Sequence, residues 1–329
     1  MMLKDKFGRE IRDLRISVTD RCNLACVYCK SADSQDYFPH HDLLTWDEFL
    51  RVARVLAGLG IRKVRVTGGE PLLRPGIIDF VARLGQIEGL DDIAITTNGY
   101  LLPEMATSLA AAGSPRVTVS LDSMDPEKSA KITRAAASCE RVLAGIDAAV
   151  AAGLAPVKVN VVLVRGFNDD ELAEFARLAR RRDIVVRFIE FMPLDADCAW
   201  NRGLVVTAQE ILAAINAVFP LVEILRRSPS ETALSYRFAD GQGEIGIIAP
   251  VSIPFCGQCS RIRLTADGKI RTCLFSLDEH DIRPLVRNGA QDSDLAQFLM
   301  RAVSQKELGH RINEPDFVQP ERTMLSIGG

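Results

Sequence analysis

Through the first two-thirds of the chain, short apolar runs alternate with segments whose apolar positions recur every three or four residues. The runs predict strands over residues 14–19, 63–67, 93–97, 116–121, 157–164 and 185–191. The longer period predicts helices over residues 45–59, 77–87, 103–112, 139–152 and 170–181. Thr45 with Glu48 makes a capping box at the start of the first helix. Strand–helix alternation implies a parallel sheet, and six repeats suit an open doubly wound sheet or an incomplete barrel. Beyond residue 220 the pattern shifts to shorter alternating runs, residues 233–238 and 244–248 among them, with Gly-rich turns. A charged, helical tail ends in Ser326-Ile327-Gly328-Gly329. A division into residues 1–220 and 221–329 is expected, the two parts packing tightly.

Unusual residues fall at or just past the C-terminal ends of the predicted strands. Cys22, Cys26 and Cys29 follow the first, Gly68-Gly69-Glu70-Pro71 the second, and Thr96-Thr97-Asn98-Gly99 closes the third. The fourth ends in Ser120-Leu121-Asp122-Ser123 and the sixth in Glu190-Phe191-Met192-Pro193. In parallel barrels the loops on that face converge, so these residues share one rim.

Composition narrows the function classes. A net charge of −3 across 329 residues gives no reason to expect a nucleic-acid-coating surface. The first residues are charged throughout and lack a secretory apolar core. The most apolar stretch, residues 142–164, is interrupted by Asp147 and Lys158 and broken by Gly153 and Pro156. A cytoplasmic protein with no membrane span is expected.

Six of the eight cysteines fall into two clusters, which in a cytosolic chain points to metal or catalysis rather than disulfides. Cys139 and Cys198 stand alone and read as packing residues. The first cluster, Cys22-x3-Cys26-x2-Cys29, supplies three thiols with no nearby fourth ligand for zinc. Three thiolates on a tight loop suit a [4Fe–4S] cube with one iron left open. The second, Cys256-x2-Cys259-x13-Cys273, again offers three; His280 would complete a zinc site, whereas a second open cube would hold a substrate.

Arg261 and Arg263 face one side of an extended segment, and Arg15, Arg65 and Lys158 lie within or beside predicted strands. Each alone fits a salt bridge to a neighbouring carboxylate. Together, with no matching acidic run, they suggest a polyanionic ligand whose phosphates Arg would grip bidentately.

The first cysteine motif, with Tyr28 before its last thiol and Gly68-Gly69-Glu70-Pro71 downstream, resembles the radical S-adenosylmethionine (SAM) superfamily. The resemblance implies an incomplete parallel (β/α)6 TIM-like barrel with a smaller C-terminal α+β domain. It implies a [4Fe–4S] cluster on Cys22, Cys26 and Cys29, with SAM chelating the open iron and yielding a 5′-deoxyadenosyl radical. Tyr28, Gly69, Ser120 and Met192 would contact SAM.

Over essentially its full length the chain resembles the GTP 3′,8-cyclases of molybdenum cofactor biosynthesis. The matching segments are residues 13–23, Arg65-Val66-Thr67-Gly68-Gly69-Glu70-Pro71, Val157-Lys158-Val159-Asn160, residues 187–193, Phe255-Cys256 through Leu264, Cys273-Leu274 and Gly328-Gly329. This implies abstraction of ribose H3′ from GTP and closure onto guanine C8, giving a cyclic dihydroguanosine triphosphate. A second [4Fe–4S] cluster on Cys256, Cys259 and Cys273 would bind guanine. Arg15, Arg65, Thr96, Lys158, Arg261, Ile262 and Arg263 would contact GTP, while Arg261, Arg263, Gly328 and Gly329 would serve catalysis. Implied partners are an electron donor and cyclic pyranopterin monophosphate synthase as product acceptor, with room for a homodimer. Two departures stand out: Ile132-Thr133-Arg134 where the family pattern has Ile-Thr-Gly, and a loosely matched segment at residues 193–200.

Other readings predict different chemistry. A radical SAM peptide or cofactor maturase would carry more auxiliary cysteines. A non-catalytic iron–sulfur or zinc protein would leave the glycine-rich rim and Lys158 unexplained.

Overall fold

The computed structural model describes residues 2–31, 37–113, 116–136, 138–226 and 228–328. Six parallel strands run in chain order: β1 (Asp13–Ser17), β2 (Lys63–Thr67), β3 (Asp92–Thr97), β4 (Arg116–Ser120), β5 (Val157–Leu163) and β6 (Ile184–Glu190). The connecting helices are α1 (Trp46–Gly58), α2 (Ile77–Gly85), α3 (Leu102–Ala111), α4 (Pro126–Thr133), α5 (Ser138–Ala151) and α6 (Leu172–Arg181). β1 and β6 do not pair with one another, so this is an incomplete barrel.

A period of two along each strand builds both faces. In β5, Val157, Val159, Val161 and Leu163 are buried, while Lys158, Asn160 and Val162 on the other face are half-buried. The apolar set joins the main core between strands and helices, with Phe49, Phe80, Phe175 and Phe188 among its largest members. The polar set lines the interior.

After α7 (Ala208–Val218) the chain adds β7 (Leu221–Ile224), β8 (Ala233–Phe238) and β9 (Glu244–Ile248) to one side. It then adds β10 (Arg261–Leu264), β11 (Lys269–Arg271) and β12 (His280–Asp281) to the other. β9 pairs parallel with β6 and β10 parallel with β1, so both edges of the six-stranded unit are covered within one twelve-stranded sheet. The helices α8 (Arg283–Arg287), α9 (Asp292–Ser304) and α10 (Met324–Ile327) complete the chain.

The six expected strands and five expected helices are all present within a few residues. The expectation missed α4, whose buried side chains are only Ser129 and Ile132, too few to print a helical period. Its start was signalled by Asp125, which caps Glu127 N and Lys128 N, and by Pro126 in the first turn. The Thr207–Glu210 capping box likewise announces α7.

A second, smaller core of Leu194, Val205, Val251, Phe275, Ile312 and Ile327 lies apart from the main one. Met192, Trp200, Cys273 and Met324 pack against it, so the loop after β6, the second cysteine cluster and the tail meet there. Among the described residues no helix is long and apolar enough to cross a membrane.

Glu190 ties these parts together. Its buried carboxylate accepts N–H groups from Ala208 (2.9 Å), Val251 (2.9 Å) and Ser252 (2.8 Å), and the Ser252 hydroxyl as well. Glu190→Gln turns a donor amide toward N–H groups, and should cost about 1–3 kcal/mol in thermal unfolding.

Candidate active site

The loop after β1 carries the first three thiols, and its neighbours hold it from several directions. Cys26 O accepts from Cys29 N (2.9 Å) and Lys30 N (3.0 Å), closing a tight turn. Ala25 N and Val27 N donate to Thr133 O and Ile132 O at the end of α4, at 3.1 and 2.9 Å. The Tyr28 hydroxyl donates to the Asp122 carboxylate, which also accepts Val162 N at 2.7 Å. Burial pushes the Asp122 carboxyl up to about 6 against those two bonds. Tyr28 thus fixes the loop to the end of β4 and, through Asp122, to β5.

Gly68 and Gly69 have a packing reason that the sequence does not show. A Cβ on Gly68 would stand 2.6 Å from Thr19 O, and one on Gly69 would overlap the Arg21 carbonyl. Without side chains, Gly69 N reaches Thr19 O at 2.6 Å and Glu70 N reaches Arg21 O at 2.8 Å. The glycines bring the loop after β2 against the loop leading to Cys22. Glu70 is fully buried and accepts from Leu72 N (2.9 Å), Thr97 Oγ1 (2.8 Å) and Asn98 N (2.7 Å). Burial nonetheless raises its carboxyl to about 7. Asn98 Nδ2 lies 3.8 Å from Cys22 Sγ.

Burial raises all three thiols, Cys29 to about 12, so each would stay protonated without a positive partner. Among the described residues no three His, Cys, Asp or Glu side chains converge as the ligands of one ion would. A [4Fe–4S] cube asks for something else, since each thiolate takes its own iron. Three mutually interacting thiols around a closed turn fit that demand.

The second trio lies at the opposite end of the barrel. Cys256 and Cys259 precede β10, whose Arg261 is level with Asp13 at the start of β1, and Cys273 follows the antiparallel β11. Burial pushes the Cys259 thiol upward, but Arg261, Lys306 and hydrogen bonds from Arg261 outweigh it and hold it at about 7. Arg261 Nη2 is 3.6 Å from Cys259 Sγ. Arg9, paired with Asp5 at 2.5 Å, donates to Cys256 O (2.8 Å), Leu308 O (2.7 Å) and Glu307 O (2.5 Å). His280 sits in β12 opposite Ile270.

Between the trios the interior is cationic. Arg15, Arg65, Lys158, Arg261 and Arg263 all occupy inward positions on β1, β2, β5 and β10. Arg15 stands level with both Arg65 and Arg263. Burial first, and then neighbouring cations, lower Arg15 and Arg65 to about 9 and Lys158 to about 8. Arg263 is pushed down by burial, Arg15 and Arg261. At neutral pH Arg15, Arg65 and Lys158 keep their charge, and the shifts register the cost of burying and crowding like charges. Thr96 accepts from Arg65 Nη1 at 3.1 Å.

The sequence reading missed Arg187, in the middle of β6 level with Asn160. Arg187 Nε and Asn160 Oδ1 are buried and have no protein partner, and Arg187 Nη2 reaches Thr118 Oγ1 at 3.3 Å. The signal was available: an arginine inside an apolar strand, as with Lys158.

The tail does enter the barrel. Gly328 O accepts from Arg263 Nη1 at 2.5 Å, and a Cβ on Gly328 would stand 2.7 Å from Ser17 Cβ. With φ at +84°, that position also favours glycine on backbone grounds. Gly329 lies outside the described residues. Ser120 and Met192 stand on the first trio's rim, half-buried. Ile262 points the other way, its side chain fully buried in the main core, so only its backbone is left for a ligand. Cys139 is buried as expected, but Cys198 is exposed and does not pack.

Comparison with known proteins follows this geometry. Residues 16–179 match the Radical SAM superfamily model and residues 184–312 the model for Molybdenum Cofactor Synthesis C. The chain is 45% identical to the GTP 3′,8-cyclase of Moorella thermoacetica, covering 99% of this chain and 100% of that one. It is 44% identical to the GTP 3′,8-cyclase of Streptomyces coelicolor, covering 100% and 96%. The chain belongs to the GTP 3′,8-cyclase family.

As a radical SAM family member it works with SAM and a [4Fe–4S] cluster. The fold agrees with SuiB of Streptococcus suis bound to S-adenosylmethionine, at TM-score 0.62 and 12% identity over 97% of this chain and 77% of that one. It agrees also with anSMEcpe with bound AdoMet, at TM-score 0.63 and 13% identity over 92% and 79%.

Gly69→Ala tests the packing at this family's glycine-rich rim. It should cost about 1–3 kcal/mol through overpacking and reduce iron retained per chain after anaerobic reconstitution. Wild-type melting with full iron content would contradict the close approach.

Proposed function

We propose that this chain converts GTP to 3′,8-cyclo-7,8-dihydroguanosine 5′-triphosphate, the first step of molybdenum cofactor biosynthesis. The carrying observation is the cationic interior between two thiol trios at opposite barrel ends. Arg15, Arg65, Lys158, Arg187, Arg261 and Arg263 crowd there at an electrostatic cost that a triphosphate would relieve. The unpartnered Arg187 Nε and Asn160 Oδ1 supply a donor and an acceptor for such a ligand.

Cys22, Cys26 and Cys29 hold the first cluster, with Tyr28, Gly69, Ser120 and Met192 around SAM. When bound, these groups supply a 5′-deoxyadenosyl radical able to take a hydrogen atom from the ribose. Cys256, Cys259 and Cys273 hold a second [4Fe–4S] cluster beside guanine, and Arg9 and Lys306 keep that loop in place. Thr96 orients Arg65 toward the nucleotide. The Gly328 carbonyl fixes one Arg263 donor, so Arg261, Arg263 and Gly328 face the reacting sugar, and Gly329 is assigned to catalysis with them on the family resemblance alone. In this division residues 1–220 generate the radical and residues 221–329 anchor the substrate. The reading includes a cytoplasmic setting, an electron donor, delivery of product to cyclic pyranopterin monophosphate synthase, and a homodimer as the candidate assembly.

Reduced protein incubated with SAM and GTP should yield 5′-deoxyadenosine and the cyclised nucleotide by mass spectrometry. About eight irons per chain are expected for two cubes, and about four would remove the second cluster from the proposal. Lys158→Ala should weaken GTP binding roughly tenfold or more while sparing SAM, and unchanged GTP affinity would count against its role. Lys158 loses its charge as pH rises through about 8. GTP affinity should therefore decline above that pH in the native enzyme, and less steeply in Lys158→Arg.

A further inference from the structure

Among the described residues, two that are not glycine have positive φ: Arg134 at 53° and Cys198 at 50°. Both flank one contact. Arg134 is the last residue of the α4 turn, with ψ at 32°, a left-handed conformation that a Cβ disfavours. Its guanidinium reaches in two directions. Nη1 donates to Lys30 O at 2.7 Å, one residue past Cys29. Nη2 lies 3.9 Å from Asp197 Oδ2, next to Cys198.

The Asp197 segment is itself anchored. Ala199 N donates to Asp195 Oδ2 at 2.5 Å, and Gln319 Nε2 donates to Asp195 O at 2.7 Å. This segment continues from Met192, which packs on the smaller core with Trp200. One side chain therefore joins the loop carrying Cys29 to the loop following Met192. With side chains 30% and 46% exposed, the ion pair is screened and adds little to overall stability.

We propose that Arg134 is a positioning residue, a clasp that sets the distance between the two loops walling the SAM site. The proposal rests on the assignment of Met192 and Tyr28 to SAM. It concerns how tightly that site is held, not the chemistry performed there. The side chain adds a contact that a glycine at this position cannot make, while glycine would suit the backbone better.

The test uses the full-length, anaerobically reconstituted enzyme and the variants Arg134→Gly, Asp197→Asn and their combination. Three readings are taken: melting temperature, KM for SAM in dithionite-driven 5′-deoxyadenosine formation without GTP, and iron release to a chelator in the absence of SAM. Arg134→Gly should melt no lower than the native chain, because glycine relieves the left-handed backbone. Its KM for SAM should rise roughly three- to tenfold, the effect falling on KM rather than kcat, and its iron should leave faster. Asp197→Asn should show a smaller rise, and the double variant should be no worse than Arg134→Gly alone, since both act through one contact. Unchanged KM and iron release in Arg134→Gly, a clear loss of melting temperature, or additive effects in the double variant would each overturn the clasp. Iron release reads the clasp without SAM, so an error in the SAM assignment would leave that arm standing and alter only KM.

Discussion

Crowding like charges inside a parallel barrel is the constraint around which this molecule is organised. A parallel sheet is normally buried on both faces and filled with apolar side chains. Here one face of β1, β2, β5, β6 and β10 carries Arg15, Arg65, Lys158, Arg187, Arg261 and Arg263, whose largest charged neighbours are mostly one another. The apolar packing that supports the sheet lies on its outer face. Val, Ile, Leu and Phe side chains of the six parallel strands pack there against the helices. β9 and β10 cover the edges of β6 and β1.

The thiol trios close the two ends of that interior, and each is held by parts of the chain far from it in sequence. The first loop is gripped by β2's glycines, by Asp122 through Tyr28, and by the end of α4. The second is gripped by Arg9 near the N-terminus and by Lys306 after α9, whose Nζ donates to Arg261 O at 2.9 Å. Burial works against thiolates at the first trio, while Arg261 and Lys306 favour one at Cys259.

The smaller core joins the two ends. Met192 from the β6 loop, Cys273 from the second trio and Met324 from the tail pack against it together. Gly328 then passes Ser17 and Thr67 to reach Arg263, a path that leaves no room for a side chain. Gly328 is thereby made part of the interior wall.

Local sequence determined the six parallel strands, five of the helices, the cysteine spacing and the cations within the strands, because the two- and 3.6-residue periods and the loop spacings are properties of neighbouring residues. Even Arg187 was within reach of that reasoning, being a charge inside an apolar strand. What sequence could not determine was which distant segments meet. That Gly68 and Gly69 press on Thr19 and Arg21, that Arg9 holds Cys256, that Ile262 turns to the core and that Cys198 stays exposed are all consequences of packing. Such contacts join residues many positions apart, and only the folded sheet, by fixing register between strands, decides which of them come together.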